Sequence, residues 1–173
     1  MTRNLMLAAG LAAAVALSMT AAQAQSADKA SQKFMTNAME GDYAEIDVGK
    51  LAQEKGTNQA VKDFGAKLVA DHGKNLDTAK QVASQVGVKD PGGASISDKA
   101  EYLKLKVLSG ATFDRTFAKD MVSDHQTTIK NFQRQAAKTG PAADFAKQTL
   151  PALQDHLQIA QSLTRQTQTT GSK

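Results

Sequence analysis

An apolar period of three to four residues runs through nearly all of the chain beyond residue 31, and it is the strongest constraint on the fold. Ala, Lys, Gln and Leu dominate these stretches, while β-branched and aromatic residues are scattered and give almost no strand signal. The period is broken by Gly56, by a loop over 87–98 that contains Asp90-Pro91-Gly92-Gly93, by Gly110, and by Gly140-Pro141. We therefore predict an all-α four-helix bundle whose third helix is broken near Gly110.

These breaks and the residues that can cap helices set the expected bounds. The first helix should span 32–55, and the second should run from a cap at Thr57 or Asn58 to about residue 86. The third is expected in two pieces, 99–109 and 113–138, with Thr112 capping the second piece. The fourth should span 142–163, after Pro141 at the first helical position.

The two ends of the chain lie outside this bundle. Arg3 precedes an apolar run, and the run is followed by Ala22-Gln23-Ala24, which fits an A-x-A cleavage site. Residues 1–24 are therefore predicted to be a signal peptide cleaved after Ala24, which directs the protein to the periplasm or cell envelope. The alternative, an uncleaved membrane anchor, is disfavoured because the apolar run is shorter than the ~20 residues that span a bilayer. The bundle domain then occupies 25–163, with no transmembrane segment after cleavage, and 164–173 forms a polar tail expected to be disordered.

Composition narrows the classes of function. The net charge of +4 falls to +3 without Arg3, and the charges alternate in sign along each helix instead of forming a basic block, so nucleic acid is not expected as a partner. The chain contains no cysteine, which excludes disulfides, thiolate metal sites and a cysteine nucleophile. It has no Gly-rich phosphate loop and no marked nucleophile, so an enzymatic function is disfavoured.

Every histidine of the chain directly follows an aspartate, midway along a separate predicted helix. The pairs are Asp71-His72, Asp124-His125 and Asp155-His156. Helical wheels place all three imidazoles on the apolar side of their helices, and they place Asp42 and Glu45 on the apolar face of the first helix. At ~1.5 Å per residue from the connecting turns, these groups lie at similar heights along the bundle. The sequence thus predicts a polar cluster in the core.

Two interpretations of this cluster remain open. In the first, the acids and imidazoles form a structural hydrogen-bond network that fixes helix register, and the outer surface binds an envelope partner. In the second, His72, His125 and His156, with Glu45 and Asp42, bind Zn, Cu or Fe, while Asp71, Asp124 and Asp155 orient the ligands. A di-iron centre is disfavoured, because Glu-x-x-His is missing and Val69, Val122 and Leu153 stand three residues before the histidines.

Several ordered motifs resemble a bacterial family of exported proteins, the domain of unknown function numbered 4142. They are Gly49-Lys50-Leu51-Ala52 after Glu45, Leu68-Val69-Ala70-Asp71-His72, Met121-Val122-Ser123-Asp124-His125 and Leu150-Pro151-Ala152-Leu153-Gln154-Asp155-His156-Leu157. The resemblance covers roughly 34–163 and implies a ferritin-like bundle behind a signal sequence, with no established activity. It also implies that Glu45, His72, His125 and His156 are recurring polar positions. We therefore expect an exported, non-enzymatic bundle with a structural cluster, or alternatively a periplasmic protein that binds a transition metal.

Overall fold

The computed structural model describes the backbone of residues 8–169 and the side chains of residues 29–167, and this part of the chain contains helices and no strand. The helices are α1 (Ala8–Lys55), α2 (Gln59–Gln85), α3 (Ile96–Lys106), α4 (Gly110–Ala136) and α5 (Pro141–Thr169). α1 packs mainly against α2 and α4 mainly against α5, while α2 also contacts α5. The prediction of an all-α fold is confirmed for these residues.

Most of the predicted helix ends are close to the observed ones. The side chain of Asn58 accepts a hydrogen bond from the backbone N–H of Ala60 and caps α2, as expected. Gly87 and Gly140 have φ angles of +75° and +96°, which favour glycine; Gly87 follows the C-cap of α2, and Gly140 directly precedes α5. Residues 86–95 form the long loop, and Ser95 caps α3, so α3 begins slightly earlier than expected.

Two helices are longer than predicted. α1 begins at Ala8 and not near residue 32, because the alanine-rich segment before it also favours helix; residues 1–7 of the predicted signal peptide lie outside the described residues. α5 continues to Thr169, so the prediction of a disordered tail from residue 164 is wrong for residues 164–169. The hydroxyl groups of Thr164 and Thr167 donate to the carbonyls four residues earlier, and Thr167 is buried. The rest of the expected tail lies outside the described residues.

Residues 107–109 separate α3 from α4. α4 begins at Gly110, which has a φ angle of +59°, one turn before the start expected from a cap at Thr112. The ammonium group of Lys55, at the end of α1, donates to the carbonyls of Lys106 and Leu108 in this connection. These bonds satisfy carbonyls that the end of α3 leaves without helical partners.

A buried carboxylate holds the turn between α1 and α2. Asp114 of α4 is 3% exposed and accepts hydrogen bonds from the backbone N–H groups of Thr57 and Asn58, at 3.1 and 2.9 Å, and from the Thr57 hydroxyl. The turn is thereby fixed to α4, which is not adjacent to it in sequence.

The apolar core is divided into two clusters by a layer of polar side chains. One cluster contains Leu68, Met121 and Ala160, and the other contains Leu76, Ile129 and Leu153. His72 lies between Leu68 and Leu76 along α2, and His125 lies between Met121 and Ile129 along α4. His156 lies between Leu153 and Ala160 along α5. We call these histidines, together with Asp42 and Glu45 of α1, the polar layer.

Candidate functional site

The three histidines meet in the polar layer, as the helical wheels predicted. His125 and His156 are each 1% exposed and His72 is 5% exposed. Their ring centroids are 5.3, 5.4 and 6.1 Å apart, and one ring nitrogen of each lies within 4.8 Å of one ring nitrogen of the others. Three imidazoles from three separate helices thus converge at one place in the core.

One nitrogen of each imidazole is engaged on the outer side of the layer. The Nδ1 of His72 lies 2.8 Å from Oδ1 of Asp42, and the Nε2 of His156 lies 2.9 Å from Oδ2 of Asp71. The Nδ1 of His125 donates to the backbone carbonyl of Met121 at 2.9 Å. A carbonyl and an ionised carboxylate can only accept, so these outer nitrogens carry the protons of the neutral rings.

In the neutral rings the remaining nitrogens therefore carry lone pairs, and no donor among the described residues meets them. The Nε2 of His125 and the Nδ1 of His156 face each other at 3.4 Å, although both are acceptors when the rings are neutral. The Nε2 of His72 is buried and has no hydrogen-bond partner among the described residues. Burial lowers the pKa of both His125 and His156, which keeps these rings neutral. The centre of the layer is thus a set of lone pairs that a cation would satisfy.

Asp42 is held by a chain of side chains from three helices. The amide nitrogen of Asn75 donates to both oxygens of Asp42, at 3.0 and 2.9 Å, and the hydroxyl of Thr149 donates to the Asn75 oxygen at 2.8 Å. Burial raises the pKa of Asp42, against the hydrogen bonds from His72 and Asn75, which lower it. Burial lowers the pKa of His72, but its hydrogen bond to Asp42 and the charge of Glu45 outweigh burial and raise it overall. Asp42 is thus the outer partner of His72.

Asp71 and Asp155 share one lysine but differ in what else they contact. The ammonium group of Lys67 lies 3.0 Å from Asp71 and 3.1 Å from Asp155. Although burial raises the pKa of Asp71, the hydrogen bonds from His156 and Lys67 lower it overall, so Asp71 remains an ionised acceptor. Asp155 is half-exposed and pairs with Lys67, not with a histidine. Of these two carboxylates, Asp71 alone can therefore orient a histidine ring directly.

The two other predicted acids lie beside the histidines. Oε1 of Glu45 is 3.7 Å from Nδ1 of His125, and its Oε2 is buried without a hydrogen-bond partner among the described residues. Asp124 makes no hydrogen bond to a histidine in the described part of the chain; burial and the charges of Glu45 and Glu101 raise its pKa to about 7. The group of converging ligand atoms contains the three histidines, without Asp42, Glu45 or Asp124. The carboxylate of Asp42 is engaged with His72 and Asn75, which explains its place outside this group.

The histidines lie between two cavities. A larger cavity of about 530 Å³ is lined by His72, His125, Glu45 and Asp124, among others. A smaller cavity of about 290 Å³ is lined by His72, His156 and Asp71, among others. His72, Asn75 and Leu153 line both cavities, so the histidines can be approached from either side.

Comparison with known proteins agrees with this architecture. The model of the family described as domain of unknown function (DUF4142) matches residues 16–163. The chain belongs to this family. The resemblance seen in the sequence is thereby confirmed, and it brings no established activity.

This DUF4142 chain is also similar to a solved structure, described as the crystal structure of a DUF305 fragment from Deinococcus radiodurans. The two share 12% sequence identity with a TM-score of 0.70, over 79% of this chain and 96% of the other. At this identity the similarity concerns the fold alone. No curated protein matches the chain. Among residues 8–169, no helix combines the length and apolar character needed to cross a membrane.

Sequence reasoning missed several residues that build the site of this DUF4142 chain. They are Asn75, Thr149, Lys67 and the carbonyl of Met121. Asn75 lies three residues after His72, hence on the same side of α2, which was an available signal. Lys67 lies four residues before Asp71, at the spacing of an ion pair within a helix. Thr149 and the carbonyl carry no comparable sequence signal.

Proposed function

We propose that this protein binds one transition-metal ion through His72, His125 and His156. The observation that carries the proposal is that three buried imidazoles each engage one nitrogen with an outer acceptor and turn the other, a lone pair in the neutral ring, toward a common centre where no donor lies among the described residues. A buried acceptor without a partner costs about 1–3 kcal/mol, and a bound cation would remove that cost at all three nitrogens.

One of the three nitrogen pairs already has the spacing that a small tetrahedral ion requires, and the other pairs lie within 4.8 Å. Two nitrogens that bind zinc at 2.0–2.1 Å in tetrahedral geometry are about 3.3 Å apart. The observed distance between Nε2 of His125 and Nδ1 of His156 is 3.4 Å. Imidazole ligands suit Zn and Cu, whereas the iron centres of helical bundles use several bridging carboxylates. We therefore favour Zn or Cu over Fe.

The outer hydrogen bonds supply the support that metal-binding histidines require. Asp42, Asp71 and the carbonyl of Met121 each receive the proton of one ring, which fixes its tautomer and leaves the opposite nitrogen free for the metal. Three protein ligands leave one position open, and Glu45 or a water from the larger cavity can fill it.

The fold and the location belong to the same proposal. The long helices α1, α2, α4 and α5, with α3 as the first piece of a broken third helix, fit a ferritin-like four-helix bundle. Residues 1–24 fit a signal peptide, so the mature protein would begin at Gln25 and act in the periplasm or cell envelope. Intact-mass measurement on protein from a periplasmic extract should give the mass of residues 25–173, and a mass that includes residues 1–24 would contradict export with cleavage.

Metal content tests the central claim. Protein purified without chelator or affinity tag should contain close to one equivalent of Zn or Cu by elemental analysis, and a His125→Gln/His156→Gln double variant should contain none. At 100 times Kd, added metal should stabilise the wild type by about 2.7 kcal/mol and should not stabilise the variant. No metal in the wild type and a melting temperature indifferent to Zn, Cu and Fe would refute the site.

A structural role for the polar layer is the second candidate. It is favoured by the chain Asp42–Asn75–Thr149, which links α1, α2 and α5 in the core without any need for a metal. In that case His72→Ala should destabilise the protein strongly and added metals should have no effect on either form. The surface of the bundle would then carry the function, through an envelope partner.

A further inference from the structure

The larger cavity has an acidic end beside the histidines. Five of its lining carboxylates come from α1, α3 and α4, and they are Glu45, Asp98, Glu101, Asp120 and Asp124. The basic side chains that line the same cavity, Lys33, Arg134 and Lys138, belong to its other end. Arg134 is ten residues after Asp124, about 15 Å along α4. The hydrogen bond from Gln135 to Ser31 places Ser31 of α1, two residues before Lys33, at that basic end. The negative charge is therefore concentrated next to the polar layer.

A second observation connects this acidic end to a ligand. His72 is 5% exposed, lines the cavity, and has an Nε2 without a hydrogen-bond partner among the described residues. His125 lines the same wall. A cation that enters past the carboxylates of the acidic end would therefore meet the unsatisfied, buried Nε2 of His72.

The smaller cavity is a poorer route for a cation. Its charged lining residues are Asp71, whose carboxylate is already paired with His156 and Lys67, and the cationic Lys74. The charges that line the smaller cavity thus balance, whereas the end of the larger cavity beside the histidines is acidic.

We propose that the carboxylates at the acidic end of the larger cavity capture a hydrated divalent cation and pass it to the three-histidine centre. This inference rests on the proposed metal site. The carboxylates attract the cation and exchange with its water molecules, and the imidazole nitrogens then replace the remaining waters. No bond within the protein is formed or broken and no electron is transferred.

Stopped-flow binding of Co²⁺, followed by its visible absorption, tests this route on the mature chain. The measurement is made at pH 8, where Asp124, whose pKa is raised to about 7, is mostly ionised. Asp124→Asn and Glu101→Gln then each remove one negative charge at the acidic end, and Glu101 is exposed, so its replacement should not disturb folding. Asp144→Asn is the matched control, because it removes the same charge from an exposed residue that lines neither cavity. At low ionic strength, we expect the association rate constant to fall about three- to tenfold in the first two variants and to stay within twofold in the control. The differences should shrink at 0.5 M NaCl.

The outcomes separate this inference from the metal site itself. If the wild type binds Co²⁺ but all three variants bind it at the wild-type rate, the cation reaches the histidines by another route and the inference is wrong. Equal slowing in all three variants would show only an effect of net charge, which also overturns it. If the wild type binds no Co²⁺, the proposed metal site and this route fail together.

Discussion

Replacing Asp71 by Asn tests whether the outer hydrogen bonds serve a metal site. The carboxylate of Asp71 accepts the Nε2 proton of His156 at 2.9 Å and so keeps the inward Nδ1 free. An Asn amide carries no charge and can also present its NH₂ group, which would favour the opposite tautomer and place a proton on Nδ1. The side chain of Asp71 is 29% exposed, so the substitution should perturb folding little.

The expected loss is in metal affinity. Replacing a carboxylate that orients a ligating histidine typically weakens metal binding 10- to 100-fold, which corresponds to about 1.4–2.7 kcal/mol. Isothermal titration of metal-free protein with Zn²⁺ at pH 7.5 should show this change in Kd, while the free energy of unfolding without metal should change by less than about 1 kcal/mol.

Asp155→Asn is a close control for the same measurement. Asp155 pairs with Lys67, as Asp71 does, and carries the same charge, but its carboxylate makes no hydrogen bond to a histidine in the described part of the chain. We expect its Zn²⁺ affinity to change less than twofold. If both variants lose affinity equally, the effect arises from charge or from Lys67, and the assignment of Asp71 as the orienting partner of His156 is refuted.

Three further predictions concern stability of the metal-free protein. Because the pKa of Asp124 is raised to about 7, the stability linked to its protonated form is lost as pH rises from about 4 through 7. Chemical denaturation should therefore show Asp124→Asn to be more stable than the wild type at pH 8, by about 1–2 kcal/mol after allowing for solvent screening. Near pH 3.5 the two proteins should be equally stable. In Gly65→Ala, the added Cβ would lie 2.6 Å from the carbonyl oxygen of Gly49, so urea denaturation should show a loss of about 1–3 kcal/mol. The control Gly73→Ala, with nothing within 4 Å, should gain up to about 1 kcal/mol, and a similar change in both would contradict the close helix contact. Asp114→Ala should cost about 3 kcal/mol in the same assay, because it leaves N–H donors of the turn between α1 and α2 unpaired, and a loss below 1 kcal/mol would contradict its anchoring role.

The sequence allowed much of the fold to be predicted because its apolar period and glycines are local signals. Asn58, Gly87 and Gly140 mark helix ends that depend only on neighbouring backbone, and the structure has them where they were expected. The ends of α1 and α5 were less predictable. The cleavage site and the composition predict a signal peptide and a polar lead-in over residues 8–31, and polarity predicts a tail over residues 164–169. Helix propensity nevertheless continues through both segments, and the helices extend with it.

The meeting of the histidines was predictable for a related reason, whereas their hydrogen bonds were not. The position of a residue along its helix predicts which face of the helix it lies on and its height in the bundle. For His72, His125 and His156 this is enough to predict that the three side chains meet. The rotamer and the partner across the interface depend on how the helices cross, so the same reasoning could not separate Asp71, which contacts a ring, from Asp155, which does not.

The arrangement of protons in the polar layer bears on which of the two functions is correct. A layer whose only role is to fix helix register gains most when every buried donor meets an acceptor. The outer side of this layer follows that rule, with Asp42, Asp71 and the Met121 carbonyl each accepting one ring proton. The inner side does the opposite and brings acceptors together, with two ring nitrogens 3.4 Å apart and a third without a partner. Reversing one tautomer would not resolve this: at His125 a ring lone pair would face the Met121 carbonyl oxygen 2.9 Å away, and at His156 a lone pair would face the ionised Asp71. A positive ion at the centre satisfies both sides of the layer at once, and this is why we favour the metal site over the structural network.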